Sequence, residues 1–486
     1  MRKTLALFLT LVITLLSLYV VAFTIINSQK DNVIVTEEYI YGDKSYAENV
    51  DIKFKTLYKE NIQWDIDFDI ASGKAKTDFS IHKDRIDREY ESINELRIYT
   101  NLHYSTFGND IPMNNVGIDK AFEELRNEAI PYEEAKKVIY VSDYTDYYPV
   151  TVDASLENFY LDSSLHSHLR ENETELIKAI ESFFKIPVLK DHRIEIRLQI
   201  DENRNITHTG TATATEDGTY EGFSFFANSV VTDKECFIYF DDRSDYGERA
   251  DTSEIPGGYG IYRLPYSSAE TYVTFDTENL KNIFPLKDGE SIYQLELSAD
   301  GKDLYMMSKK NNVIYLTVID AETYEEKSKI IISDEKDQSS NIEYIGEDFI
   351  VIIHYSPDSE SSEISVYTTD VKDAFEEKFT VDQYIYDDKS TITDEGLVYY
   401  AGGDFYLWGN QIDVKWDGEK LYVTNSTGDN SHVITEGNFT LSVYDKNGLQ
   451  FCGNYTTSLN TGYDGYQASG YYVNLSQYDL IKIKLS

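Results

Sequence analysis

A strand–turn–strand unit recurs through the C-terminal half of this 486-residue chain, and it limits the possible folds more than any other feature. An acidic or Gly-containing turn leads into a short strand of Tyr, Ile, Val and Phe. A polar turn and a second strand, often ending in Asp, complete the unit. The copies pair 304–308 with 313–320, 349–354 with 363–370, and 397–400 with 404–408. Two more pair 421–425 with 439–445 and 471–475 with 480–485, and a looser one pairs 236–240 with 260–264. Most recur at roughly 45–50 residues, the period of a four-stranded propeller blade. Each hairpin would then supply two middle strands of a blade. An N-terminal set at 50–57, 62–70 and 75–81 has the same character and is placed to close a ring. The expected fold is therefore mainly β: a β-propeller of about seven blades after an N-terminal transmembrane helix, with an α/β insertion. Tandem β-sandwich domains are the alternative, because they also give short strands between turn signals.

The 41 tyrosines agree with β structure, since Tyr suits half-buried strands with one wet edge. Residues 84–192 break the repeat. There, 118–125 and 132–138 read as helical, with Asp119 as an N-cap. Residues 172–184 read as the best helix, with Leu176, Ile177, Ile180, Phe183 and Phe184 on one face and Pro187 as the stop.

Residues 5–26 (LALFLTLVITLLSLYVVAFTII) contain no charge, Gly or Pro. At about 1.5 Å per residue the run spans roughly 33 Å, enough for a bilayer's hydrocarbon core. Arg2 and Lys3 on the short side favour keeping 1–4 in the cytoplasm and sending the rest across. The other reading is a cleaved signal peptide ending at Val20-Val21-Ala22, giving a secreted chain. The apolar run continues past that site, which favours a retained anchor. The expected division is a tail at 1–4, the membrane helix at 5–26 and first ectodomain strands at 27–83. The α/β insertion follows at 84–192, and the propeller repeats at 193–486. Cys236 and Cys452 are too few for a disulfide framework and read as separate buried thiols.

The net charge of −42 repels phosphate backbones and anionic lipid, which removes nucleic acid from the partner classes. Catalytic motifs are missing too. There is no Gly-X-Ser-X-Gly elbow, and arginine is too scarce for a sialidase-type carboxylate cluster. With 86 acidic residues, no one carboxylate pair stands out for glycoside hydrolysis. No catalytic residue and no cofactor is assigned.

For metals, Asp241, Asp242 and Asp245 form an acidic, Gly-containing loop of Ca²⁺-compatible composition that lacks the regular EF-hand spacing. Asp65, Asp67 and Asp69 share one strand face, where their repulsion invites a cation or a lysine neighbour. His166 and His168 form an alternating pair that reads as exposed loop. Tyr144, Tyr147 and Tyr148, set among carboxylates, are candidate recognition anchors; strand packing explains them equally well.

Several strings resemble a family of exported, largely uncharacterised proteins of Gram-positive, clostridia-type bacteria. They are Gly42-Asp43 with the strand at 50–57, 143–149 (DYTDYYP), 184–189 (FKIPVL) and 255–262 (IPGGYGIY). The resemblance implies a membrane-anchored, propeller-like architecture and carries no reaction. The expected function is a non-enzymatic binding or sensor module, outside the cytoplasm on a single-pass anchor. Its expected partner is a ligand or exported protein, with a membrane protein beside the helix. An envelope polysaccharide hydrolase with channel carboxylates and a scaffold for an envelope complex are the alternatives.

Overall fold

In the computed structural model the described residues are 2–28, 33–58, 62–81, 95–99, 105–107, 118–156, 159–162, 171–213, 226–241, 251–269, 272–287, 289–334, 338–355, 362–369, 375–382, 391–393, 396–398, 413–426, 437–459 and 481–485. They form two compact units. One comprises Met1–Glu91, Ile342–Thr369 and Phe375–Ser486; the other comprises Ser92–Asn341 and Asp370–Ala374.

The first unit begins with the helix Arg2–Ser28. Its side chains are described only at 8–21, 23 and 24. Over that stretch large apolar groups such as Leu18 and Tyr19 are exposed. The run 5–26 extends beyond those side chains, and among the described residues no helix is both long and apolar enough to cross a membrane.

Three antiparallel sheets of the blade type follow in this unit. Ser339–Ile345, Phe349–Tyr355, Ser362–Thr369 and Phe375–Asp382 form one in simple chain order. Asp413–Trp416, Leu421–Ser426, Gly437–Asp445 and Gly448–Leu459 form the second, with Val33–Gly42 added at its edge. The third joins the chain ends, because Ile481–Leu485 pairs with Val50–Tyr58 ahead of Ile62–Asp69 and Lys74–Ile81.

Apolar side chains stack these sheets. Val351, Val366 and Phe379 of the first pack with Val414, Leu421 and Tyr444 of the second. Tyr422, Phe439 and Tyr455 of the second pack with Ile52, Trp64, Phe68 and Ile483 of the third. Each large buried side chain contributes about 1.5–3 kcal/mol by leaving water. The edge strand Val33–Gly42 can lie this close only because of Gly42. Its φ is 85°, and a Cβ there would fall 1.9 Å from the Gln450 carbonyl oxygen. A side chain at this position is excluded both by backbone conformation and by space.

The second unit holds a further blade-type sheet: Glu290–Leu297, Asp303–Lys310, Val313–Asp320 and Glu326–Ser333, in order. Asn311 and Asn312, with φ of 53° and 67°, make the tight turn of its central hairpin. A larger sheet brings Phe226–Val231, Glu235–Asp241 and Gly260–Ala269 together with Glu95–Tyr99, Thr151–Leu156 and Phe159–Asp162. The helix Glu171–Phe183 presses Leu176 and Ile180 into the same core. A four-stranded layer is built from Ser105–Phe107, Ile206–Thr213, Arg193–Ile200 and Glu134–Tyr140, with the helix Asp119–Glu128 on one face.

The chain is thus mainly β, as expected, and most of the described expected hairpins form. The helix expected at 172–184 is there, as Glu171–Phe183. The segment 132–138 differs: its Glu, Ala and Lys favour a helix, yet it is strand Glu134–Tyr140. Pairing with Arg193–Ile200, whose alternation of apolar and charged residues is strict, outweighs local propensity and buries Ile139. Asp119 is the first helical residue rather than the cap; Ile118 holds the cap position without a side-chain hydrogen bond. The strand Arg193–Ile200, expected to start the repeats, belongs to this layer instead. Thr391–Thr393 pairs with Gly396–Val398; 404–408 and 471–475 lie outside the described residues.

Candidate functional site

The tyrosine string 143–149 lies where the small layer runs into the large sheet of the second unit. A short 3-10 turn, Val141–Asp143, ends the strand before it, and Thr151–Leu156 begins after it. The facing segment 184–192 clamps it through the backbone: Tyr148 N–H donates to the Ile186 carbonyl (2.9 Å), and Val188 N–H donates to that of Asp146 (3.0 Å). Alternation along this irregular stretch sends the three tyrosines to three places.

Tyr148 is buried, its hydroxyl 2.9 Å from His192 Nδ1 and accepting from Leu189 N–H at 3.2 Å. Burial pushes its phenol up to about 12 and lowers the His192 imidazole. Tyr144 donates to Glu124 Oε2 at 2.9 Å, beside Lys137 Nζ at 3.1 Å from the same oxygen. Those two hydrogen bonds, Lys137 first, hold Glu124 below the usual carboxylate range. Tyr147 keeps a partly exposed ring, donates to Glu254 at 2.7 Å, and has Lys185 Nζ 5.5 Å from its ring centre. Of the three, Tyr148 is buried while Tyr144 and Tyr147 both keep partial exposure, and the contact of Tyr147 with Glu254 lies at the surface.

The aspartate stripe has found its cations within the chain. Trp64, Ile66 and Phe68 face the core, leaving Asp65, Asp67 and Asp69 on the opposite face of Ile62–Asp69. Lys53 Nζ is 3.7 Å from Asp67. Lys76 and Lys74 stand across the ladder from Asp67 and Asp69. Lysine is the neighbour this face attracts. Asp241 ends its strand opposite Phe226, while Asp242, Asp245, His166 and His168 lie outside the described residues. Among the described residues no cluster of His, Cys, Asp or Glu is arranged to hold a metal ion. Cys236 and Cys452 are buried free thiols, both pushed up to about 12 by burial.

Two arrangements had no signal in the sequence. In the first unit, the first strand of one sheet meets that of the next at Asp413. Its Oδ2 accepts from Ile483 N–H at 2.5 Å, and Lys415 Nζ lies 3.9 Å from Oδ1. Burial raises its carboxyl above the ordinary value, the Ile483 hydrogen bond opposing; burial also raises the Tyr344 phenol, with the Asp413 charge adding to it. Asp413 opens the short strand Asp413–Trp416, and no period or motif marks it. The second is a polar chain within one sheet. His354 Nε2 lies 2.7 Å from Ser365 Oγ, which lies 2.6 Å from Thr380 Oγ1; Thr380 donates to Glu377 at 2.9 Å. Ser365 is fully buried, so the pair satisfies its own polar atoms and offers no nucleophile to a substrate.

No protein-family model matches the chain, and no curated protein does. Among solved structures, it is similar to a Bacteroides fragilis protein inferred to be a 6-phosphogluconolactonase. That match has 8% identity and a TM-score of 0.28, covering 83% of this chain and 94% of the other. It is also similar to the WD40 domain of SCAP from fission yeast, at 8% identity and a TM-score of 0.24, covering 87% and 90%. A third is TolB from Acinetobacter baumannii, at 9% identity and a TM-score of 0.21, covering 87% and 80%. Such TM-scores carry no argument, and the fold rests on the sheets themselves.

Proposed function

We propose that this chain is a propeller-type binding module tethered to a membrane by its N-terminal helix and acting outside the cytoplasm without a reaction of its own. The observation that carries the reading is the splice of the chain ends. Ile481–Leu485 completes the sheet of Val50–Tyr58, and only 29–32 separate the helix from the strand Val33–Gly42. At about 3.5 Å per residue, that strand starts within roughly 17 Å of the helix end. A body closed by both ends of its chain, on so short a tether, is a rigid mount for recognition loops. The ring of about seven blades is part of this proposal. The partner is an exported protein or envelope ligand, and the partly exposed Tyr147 is one contact. The resemblance to exported clostridia-type proteins is consistent with this reading. Calcium at Asp241, Asp242 and Asp245 is a subsidiary proposal, tested by thermal melts in EDTA and in millimolar Ca²⁺; no shift would retire it.

The full chain in lipid nanodiscs, cross-linked in envelope extracts, should yield one stoichiometric partner without turnover of cell-wall glycans. Glycan hydrolysis by the purified chain would overturn the reading. One observation favours that second reading: Asp413, with its raised carboxyl pKa, sits where the first strands of two sheets meet. If the chain hydrolyses glycans, Asp413→Asn should abolish turnover.

A further inference from the structure

Among the described residues, the helix Asp119–Glu128 covers one face of the layer Ser105–Phe107, Ile206–Thr213, Arg193–Ile200 and Glu134–Tyr140. Ile194, Ile196 and Leu198 pack beneath the helix with Phe122 and Leu125. The other face presents Val138 and Tyr140, 53% and 44% exposed, although both are large and apolar. At its rim the loop before the strand exposes Ile130 and Tyr132 at 59% and 62%. Tyr132 has φ 66°, costly for a bulky side chain, and is pinned there. Its N–H donates to the Ile200 carbonyl at 2.8 Å, and its carbonyl accepts from Gln199 at 2.9 Å. A backbone fixed in an unfavourable conformation while its ring faces water needs a reason outside the layer's own packing.

Two further observations say what fits. Glu134–Tyr140 is the last strand in its sheet, so among the described residues one edge of its backbone has no strand partner. The open face also departs from the chain's overall charge. Lys136 and Arg197 stand opposite each other in register and pair along their own strands with Glu134 at 3.1 Å and Glu195 at 2.5 Å; with Arg193 opposite Tyr140 the face holds three cations to two carboxylates, on a molecule of net charge −42. Arg193 lies 5.7 Å from the Tyr140 ring centre, a cation–aromatic pair of the kind that anchors protein contacts.

We infer that Glu134–Tyr140 receives an extended segment of the partner protein as an added strand, and that this segment alternates apolar and acidic side chains. Main-chain hydrogen bonds along the free edge supply affinity; Val138 and Tyr140 take the apolar side chains, and Lys136 and Arg197 take the carboxylates. The inference rests on the binding-module reading and names its surface.

The test uses the full chain in detergent and two synthetic peptides of about seven residues, a common strand length, one alternating Val with Glu and one alternating Val with Lys. The Val/Glu peptide should bind and slow amide exchange at 134–140. The Val/Lys peptide should bind at least about tenfold more weakly. In Lys136→Glu/Arg197→Glu that preference should reverse, with exchange at 193–200 unchanged to show the layer intact. Equal binding of both peptides, an unchanged preference in the variant, or no protection of 134–140 would overturn the inference. A partner cross-linked elsewhere with 134–140 unprotected would refute this surface and leave the binding-module reading standing. Finding no partner would refute that reading itself.

Discussion

Two sheets of the first unit show how much a strand's pattern reveals about what covers it. In Phe349–Tyr355, six consecutive residues from Phe349 to His354 are buried, so both faces of the sheet are covered. In Ile62–Asp69, Trp64, Ile66 and Phe68 alternate with Asp65, Asp67 and Asp69, so one face is packed and the other is a field of aspartate and lysine. Both are antiparallel four-stranded sheets, the first a simple meander and the second three consecutive strands completed by Ile481–Leu485. Sheets with two apolar faces are interior layers of a stack, whereas a sheet with one charged face ends its stack or meets a polar partner.

The largest expected effect separates these two sheets directly. Ile352→Asp puts an unpaired carboxylate at a fully buried position and should cost at least about 4 kcal/mol in urea unfolding, or prevent folding. Asp67→Ile on the charged face should change stability by less than about 1 kcal/mol. Comparable costs at the two positions would break the contrast.

Next is Gly42→Ala, where the edge strand closes on Gly448–Leu459. A Cβ meeting the Gln450 oxygen, together with a positive φ, should cost about 2–3 kcal/mol and raise amide exchange at 33–42. A neutral result would mean that this strand is not held against the sheet.

A smaller effect extends the contrast to the one-faced layer of the second unit. Asp119 begins the helix covering that layer, with Oδ1 buried and unbonded among the described residues. Burial, aided by Glu123, pushes its carboxyl up to about 6. An acid raised in the folded state destabilises the fold above that value, and acidification towards its ordinary value relieves the cost. Asp119→Asn should therefore stabilise the chain at pH 7, by about 1 kcal/mol once its partial exposure is discounted, and the gain should vanish below about pH 4. Unfolding titrations at the two pH values read this out; a gain independent of pH would mean the carboxyl is not raised.

Much of this was legible in the sequence because hairpins announce themselves. Val313–Asp320 and Phe349–Tyr355 stand out as apolar runs bounded by turns, and the aspartate stripe lay on one strand face as its alternation required. The failures share a cause. Glu134–Tyr140 carries helix-forming residues, and only its distant partner Arg193–Ile200 makes it a strand. Asp413 is notable only because Ile483 comes to lie against it from 70 residues away. Tyr148 became a core residue through Ile186 and His192, to which no local pattern pointed. Information carried by long-range pairing has no period to read.

The central claim is that the two ends of the chain close one body beside the helix. Hydrogen exchange on a chain ending at residue 480 tests it most directly. The prediction is that amide protection falls at 50–58 and 62–69, which lose their pairing with Ile481–Leu485, while 303–320 stays protected. Unchanged protection at 50–58 would contradict the account.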